Sequence, residues 1–149
     1  MKQFEPLTRK SDAQRVRYLI VDDSVFARKS LARLIESFGG EIAGEASDGV
    51  SAISEYARTK PDLVLMDITM PQMEGIEAVE RIVQAHPEAR IVMVSSVGYQ
   101  DNILAALQKG ARHFVQKPVK PDALYEILRY VLNDDALASP VNAGGEVSR

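Results

Sequence analysis

Asp22-Asp23, Asp67, Ser95 and Lys117 are the residues of this chain whose types could do chemistry together. Each falls where an apolar run gives out. Leu19-Ile20-Val21 leads into Asp22-Asp23, and Leu63-Val64-Leu65-Met66 leads into Asp67. Ile91-Val92-Met93-Val94 leads into Ser95, and Phe114-Val115-Gln116 into Lys117. Short apolar runs of this kind suit strands buried on both faces of a parallel sheet. The carboxyl ends of such strands share one edge, and ligands bind in the crevice beyond it.

Three carboxylates on one edge repel one another. Two unit charges about 4 Å apart interact by about 4 kcal/mol at an effective dielectric near 20. A hard divalent cation offsets that repulsion. Oxygen-only ligation with retained waters suits Mg2+, with Mn2+ as the alternative. The lysine helps from the other side. A carboxylate beside a metal, an ammonium and a hydroxyl is set to attack a phosphorus centre, because both cations stabilise the phosphoryl oxygens. Singly, each residue has a plainer reading. Asp67 could cap a loop, Asp22-Asp23 could be a solvated acidic turn, and Ser95 could be an ordinary loop hydroxyl. The ordered set carries the chemistry.

The elements that must position these residues follow from the pattern. Arg17 to Asp22 reads as the first strand. Ser24 is a plausible N-cap, with Leu31, Leu34, Ile35 and Phe38 following at helical spacing until Gly39-Gly40. Glu41 to Ala46 is a weaker strand. Ser47-Asp48-Gly49 turns into a helix bearing Val50, Ile53 and Ala57, which Lys60-Pro61 stops. After the Asp67 strand, Met70-Pro71 and Gly75 bend the chain into a helix over 75–85, closed by His86-Pro87. Arg90 to Ser95 is the fourth strand, Tyr99 to Lys109 a short helix, and Arg112 to Lys117 the fifth strand. Pro121 opens the last helix, with Leu124, Ile127, Leu128 and Val131 on its buried face. Five strands alternating with five helices predict a single α/β domain over 17–133, a doubly wound parallel sheet with right-handed crossovers. Residues 1–16 read as a flexible N-terminal arm. Residues 134–149, dominated by Ala, Ser, Pro and Gly, read as a flexible C-terminal tail.

Composition narrows the function classes. The chain has 149 residues, 46% of them hydrophobic, enough for one sizeable core. A net charge of −3 argues against direct nucleic-acid binding and against attraction to anionic membranes. With no cysteine, disulfides and thiolate-held zinc are excluded. The two histidines, His86 and His113, do not form a metal cluster, so a metal would be held by oxygen. His86 is expected to be a solvated helix-end residue. The first 17 residues carry no apolar stretch of a secretory signal, and no run approaches the roughly 20 residues of a membrane span. A cytoplasmic location is the expectation.

With these residues in place, the sequence resembles the response-regulator receiver domains of two-component signalling, most nearly the single-domain chemotaxis CheY type. The resemblance covers about residues 17–133. It rests on Leu19-Ile20-Val21-Asp22-Asp23-Ser24, on Asp67-Ile68-Thr69-Met70-Pro71-Gln72-Met73-Glu74-Gly75, on Val94-Ser95-Ser96 and on Phe114-Val115-Gln116-Lys117-Pro118. It implies the flavodoxin-like strand order 2-1-3-4-5, which is carried over from the family. It implies that Asp67 is the phosphoacceptor and Asp23 a direct Mg2+ ligand. Asp22 would act on the metal through water, and Thr69 through its backbone carbonyl. Ser95 and Lys117 match the switch hydroxyl and the lysine that meet the phosphoryl oxygens, with a cis bond to Pro118. Phe114 matches the aromatic switch position.

The implied partners are a sensor histidine kinase and a downstream protein such as a flagellar motor switch. The chain would be a monomer when unphosphorylated, with dimerisation open on phosphorylation, and would act as a switch and not as an enzyme on other substrates. Phosphorylation adds about −1.5 to −2 of charge and three acceptor oxygens, so closure of the Ser95 and Lys117 loops would let Phe114 turn inward and reshape the surface of the fourth helix, fifth strand and last helix. Serine at 95 and phenylalanine at 114 depart from the commoner threonine and tyrosine. Thr69 and Val97 occupy dephosphorylation-tuning sites. Val97 cannot hold a water by hydrogen bonding, which implies a fairly long-lived phosphoryl group.

Two other classes compete. A phosphotransferase with an aspartyl intermediate usually has a second aspartate two residues after the nucleophile, where this chain has Thr69. A nucleotide or flavin domain on the same architecture wants a glycine- or hydroxyl-rich loop after the first strand, where Asp22-Asp23 would repel phosphate. Within the resemblance, the chain could be a complete switch or the receiver of a longer transcriptional or enzymatic regulator.

Overall fold

Leu63–Asp67 is the central strand, and all five of its residues are buried. The computed structural model describes residues 4–68, 75–96 and 100–133. In chain order the elements are β1 (Arg17–Val21), α1 (Val25–Ser37), β2 (Glu41–Ala46), α2 (Gly49–Thr59), β3 (Leu63–Asp67), α3 (Gly75–Ala85), β4 (Ile91–Ser95), α4 (Gln100–Gln108), β5 (His113–Gln116) and α5 (Pro121–Asn133). The strands form one sheet in the order β2-β1-β3-β4-β5, every pair parallel. The doubly wound α/β fold is the one the sequence predicts.

Alternation along the strands decides which helix covers which face. Leu19, Val21, Val64, Met66, Ile91 and Met93 pack with Tyr56 of α2, Val79 and Ile82 of α3 and Ile103 of α4. Tyr18, Ile20, Leu63, Leu65, Val92 and Val94 pack with Leu31 and Ile35 from α1, Phe38 at its C-cap, and Leu124, Leu128 and Val131 from α5. Both faces of the three inner strands are therefore dry, which is why β1, β3 and β4 read as continuous apolar runs, whereas the edge strands β2 and β5 are partly exposed. The helix starts are chemically explicit. The Ser24 side chain accepts from the Ala27 backbone N–H at 3.1 Å. Asp48 and Ser51 close a reciprocal capping box at the head of α2.

Residues 4–16, the described part of the expected flexible arm, are docked on the domain. Leu7 and Val16 are buried. The Phe4 ring lies 4.9 Å from Phe38 and 4.7 Å from Tyr125, tying the segment into the seam between α1 and α5. The Leu7 N–H donates to the Phe38 carbonyl at 2.9 Å, and the Tyr125 hydroxyl donates to the Glu5 carbonyl at 2.8 Å. Two isolated apolar residues in a polar stretch make no periodic pattern, yet here they find a prepared apolar seam. His86 also departs from expectation. Its ring lies 4.8 Å from that of Tyr56, because α2 and α3 are neighbours, and it is half-buried.

Tyr18 contains a local conflict. Its side chain is fully buried, and among the described residues its hydroxyl has no hydrogen-bond partner. Burial pushes its ionisation well above the ordinary tyrosine range, so it stays a neutral, unsatisfied donor. An unpaired buried hydroxyl costs about 1–3 kcal/mol. Tyr18→Phe is expected to raise the urea unfolding free energy by about 1 kcal/mol. A clear fall would show instead that the hydroxyl is satisfied by buried water.

Candidate phosphoacceptor site

The parallel register brings the strand-end residues together. Val21 pairs with Met66, so Asp22 and Asp67 come next on adjacent strands. Asp67 pairs with Val94, and Ser95 pairs with Gln116, which places Ser95 and Lys117 on the same edge. One carboxylate oxygen from each of Asp22, Asp23 and Asp67 lies within 4.8 Å of the others. Asp22 is buried, Asp67 is 9% exposed and Asp23 is exposed, so the cluster opens to solvent on the Asp23 side.

Several contacts hold this arrangement. The Ser24 N–H donates to Asp22 Oδ1 at 2.9 Å, and Lys117 Nζ donates to Asp22 Oδ2 at 3.1 Å. Lys117 Nζ is also 3.9 Å from Asp67 Oδ1, so one ammonium serves both carboxylates. The Lys117 N–H donates to the Ser95 carbonyl at 2.7 Å, which ties the ends of β4 and β5. The Lys117–Pro118 peptide is cis. Gly75 closes the far side of Asp67: a Cβ there would lie 2.2 Å from the Asp67 carbonyl oxygen, an approach only glycine permits.

Ser95 is 1% exposed, and among the described residues its Oγ has no hydrogen-bond partner. A buried hydroxyl left unsatisfied at a strand end beside a carboxylate suits an acceptor that arrives with a ligand. Phe114 is half-buried and packs with the α2–α4 side of the core. Thr69 and Val97 lie outside the described residues. One contributor has no signature in the strand pattern. Arg28 Nη1 donates to the Asp22 carbonyl at 2.6 Å, and its Nε donates to Glu45 Oε1 at 2.9 Å.

The donor set is all oxygen, anionic and open to solvent on one side. That fits a hard divalent cation with retained waters, Mg2+ or Mn2+, and fits zinc or a soft metal poorly.

The strand edge therefore carries a carboxylate triad, a lysine bridge and a buried hydroxyl side by side. The family model for the response regulator receiver domain matches residues 18–129. The chain belongs to that family. It is 44% identical over 115 residues to the chemotaxis protein CheY of Thermotoga maritima, spanning 77% of this chain and 96% of that one. It is 42% identical over 117 residues to CheY of Bacillus subtilis, spanning 78% and 98%. Among solved structures it is similar to the CheX–CheY–BeF3–Mg2+ complex of Borrelia burgdorferi, with a TM-score of 0.80 and 32% identity over 85% of this chain and 96% of that one. The chain is thus a response-regulator receiver domain that closely matches CheY. Among the described residues no helix is long and apolar enough to cross a membrane.

Proposed function

We propose that Asp67 accepts a phosphoryl group from a phosphohistidine of a sensor kinase, and that the modified chain docks on a protein of the motility apparatus. A carboxylate oxygen of Asp67 forms the new P–O bond, the N–P bond breaks, and the imidazole departs. Asp22, Asp23 and Asp67 would hold Mg2+, with the Thr69 carbonyl as a further donor. The cation, when bound, neutralises charge on the phosphoryl oxygens. Lys117 meets a phosphoryl oxygen through the ammonium that now bridges Asp22 and Asp67. Ser95 supplies its unused hydroxyl to another. The observation that carries the reading is that bridge, 3.1 Å and 3.9 Å long, beside a buried hydroxyl with no partner among the described residues.

The new charge draws the Ser95 and Lys117 loops inward, and Phe114 follows. The receiving face for the partner is α4, β5 and α5, where Leu104 and Tyr130 stand exposed and the His113 ring packs edge-on against Tyr130. The chain works in the cytoplasm as a monomer before phosphorylation, and catalyses no reaction beyond its own phosphorylation and dephosphorylation. Val97 slows the second of these. The Borrelia burgdorferi relative, whose complex holds BeF3 and Mg2+, supports the cofactor.

Intact-mass measurement after incubation with acetyl phosphate tests the proposal. One phosphoryl adduct is expected with Mg2+ and none in EDTA. Equal labelling in both conditions, or none in either, refutes it. Decay of the adduct within seconds refutes the long lifetime alone.

A further inference from the structure

The Asp22–Asp23 peptide is the hinge of the acidic site. Its carbonyl belongs to Asp22, its N–H to Asp23, and both side chains enter the cluster. The Asp22 N–H is held by the Ala46 carbonyl at 3.0 Å, the last ladder bond on that side. Beyond it the sheet offers the Asp22 carbonyl no strand. Arg28 lies one turn inside α1, and helical side chains lean back toward the N-terminus. It reaches the Asp22 carbonyl at 2.6 Å. On its other edge it is held by Glu45 of β2 at 2.9 Å, and Glu45 sits beside Ile20 in the β1–β2 register. The guanidinium is largely buried, with 15% of its side chain exposed, whereas Glu45 is 48% exposed.

We infer that Arg28, oriented by Glu45, is a positioning residue for the metal: it fixes the plane of the Asp22–Asp23 peptide and so aims the Asp23 carboxylate. The inference rests on the reading of Asp22, Asp23 and Asp67 as a cation site. Asp22 already has contacts on both of its oxygens, from Ser24 and Lys117. Asp23 is exposed, so its aim depends on the backbone that carries it. A short charge-assisted bond to a main-chain oxygen provides that aim. Glu45 has a second effect. It balances the charge of Arg28, so that a cation next to three carboxylates does not oppose the binding of Mg2+.

An ordinary surface ion pair predicts otherwise, since such pairs contribute little and leave a nearby ligand site unchanged. The test is calorimetric titration of Mg2+ into the unphosphorylated full chain, with the EDTA melting temperature measured alongside. Arg28→Met is expected to weaken Mg2+ binding about tenfold, the loss typical when a group that orients a metal ligand is removed. Arg28→Lys recovers only part of it, because an ammonium cannot serve the Asp22 carbonyl and Glu45 in one fixed fork. Glu45→Gln, an exposed change that leaves the fold intact, weakens binding several-fold by unbalancing Arg28. At saturating Mg2+ the acetyl phosphate labelling rate of Arg28→Met returns to within about twofold of wild type, which places the defect in metal binding. A lowered melting temperature with wild-type Mg2+ affinity in both variants overturns the inference. If Arg28→Met does not fold, the affinity of Glu45→Gln decides alone. Absence of Mg2+ binding in wild type would overturn the cation-site reading itself, and the positioning role with it.

Discussion

Asp67→Asn is expected to abolish the phosphoryl adduct and at the same time to stabilise the metal-free protein. The first effect follows because a neutral amide is no nucleophile toward phosphorus. The second follows from geometry. Oxygens of Asp22, Asp23 and Asp67 lie within 4.8 Å of each other, and Asp67 is only 9% exposed. One ammonium, on Lys117, faces two of these three charges. At an effective dielectric near 20 each like-charge pair at that separation opposes folding by about 3 kcal/mol, and the bridge to Lys117 offsets only part of it. Replacing Asp67 by its amide isostere removes two such repulsions together with the attraction to Lys117, while preserving volume and a side-chain oxygen that still accepts hydrogen bonds. A gain of about 1 kcal/mol in unfolding free energy in EDTA is expected. Mg2+ adds less stability to the variant than to wild type, because one ligand charge is gone. Thermal unfolding with and without Mg2+ reads all of this. A variant less stable than wild type in EDTA would show that Asp67 is held by net attraction and that repulsion among the carboxylates does not dominate the empty site.

That same tension explains which parts of the molecule could be read from the sequence. Asp22, Asp67 and Ser95 were legible because each ends an apolar run, and Lys117 because it ends the fifth strand. Parallel pairing then carries them to one edge whatever the loops do. The strand order needed the family resemblance, since alternating apolar runs fit several windings of a parallel sheet. Phe4 and Leu7 were illegible as anchors. Their partners, Phe38 and Tyr125, lie far along the chain, and only the tertiary fold makes the seam. Arg28 was illegible for a different reason. An arginine early in a helix reads as a solvated cation, and its decisive partner is a carbonyl, a group every residue has. The Gly75 requirement was half-legible. The residue type announces a bend, but only the 2.2 Å that would separate a Cβ at this position from the Asp67 carbonyl shows that the glycine protects the site's own backbone.

Lys117→Met is expected to move three quantities, two of them in opposite functional senses. The Lys117 ammonium lies 3.1 Å from Asp22 and 3.9 Å from Asp67, and its side chain is 31% exposed. It therefore occupies part of the field that a divalent cation would use. Without it, Mg2+ no longer competes with a fixed positive charge, and its affinity rises several-fold. Phosphoryl transfer nonetheless slows by about 10²–10³, because a preorganised donor to the phosphoryl oxygens is lost at the moment their charge must be stabilised. The metal-free protein loses about 1 kcal/mol, a figure kept small for the partial exposure of the lysine. Mg2+ more than restores it, since a tighter ligand stabilises the folded state further at the same concentration. Both replacements are expected to stop or slow phosphorylation, with Mg2+ binding weakened in Asp67→Asn and strengthened in Lys117→Met. Calorimetry on the two variants, beside acetyl phosphate labelling, separates a lysine that acts on the phosphoryl group from one that only neutralises carboxylates. In the second case Mg2+ would replace it fully, and saturating metal would return the labelling rate of Lys117→Met to that of wild type.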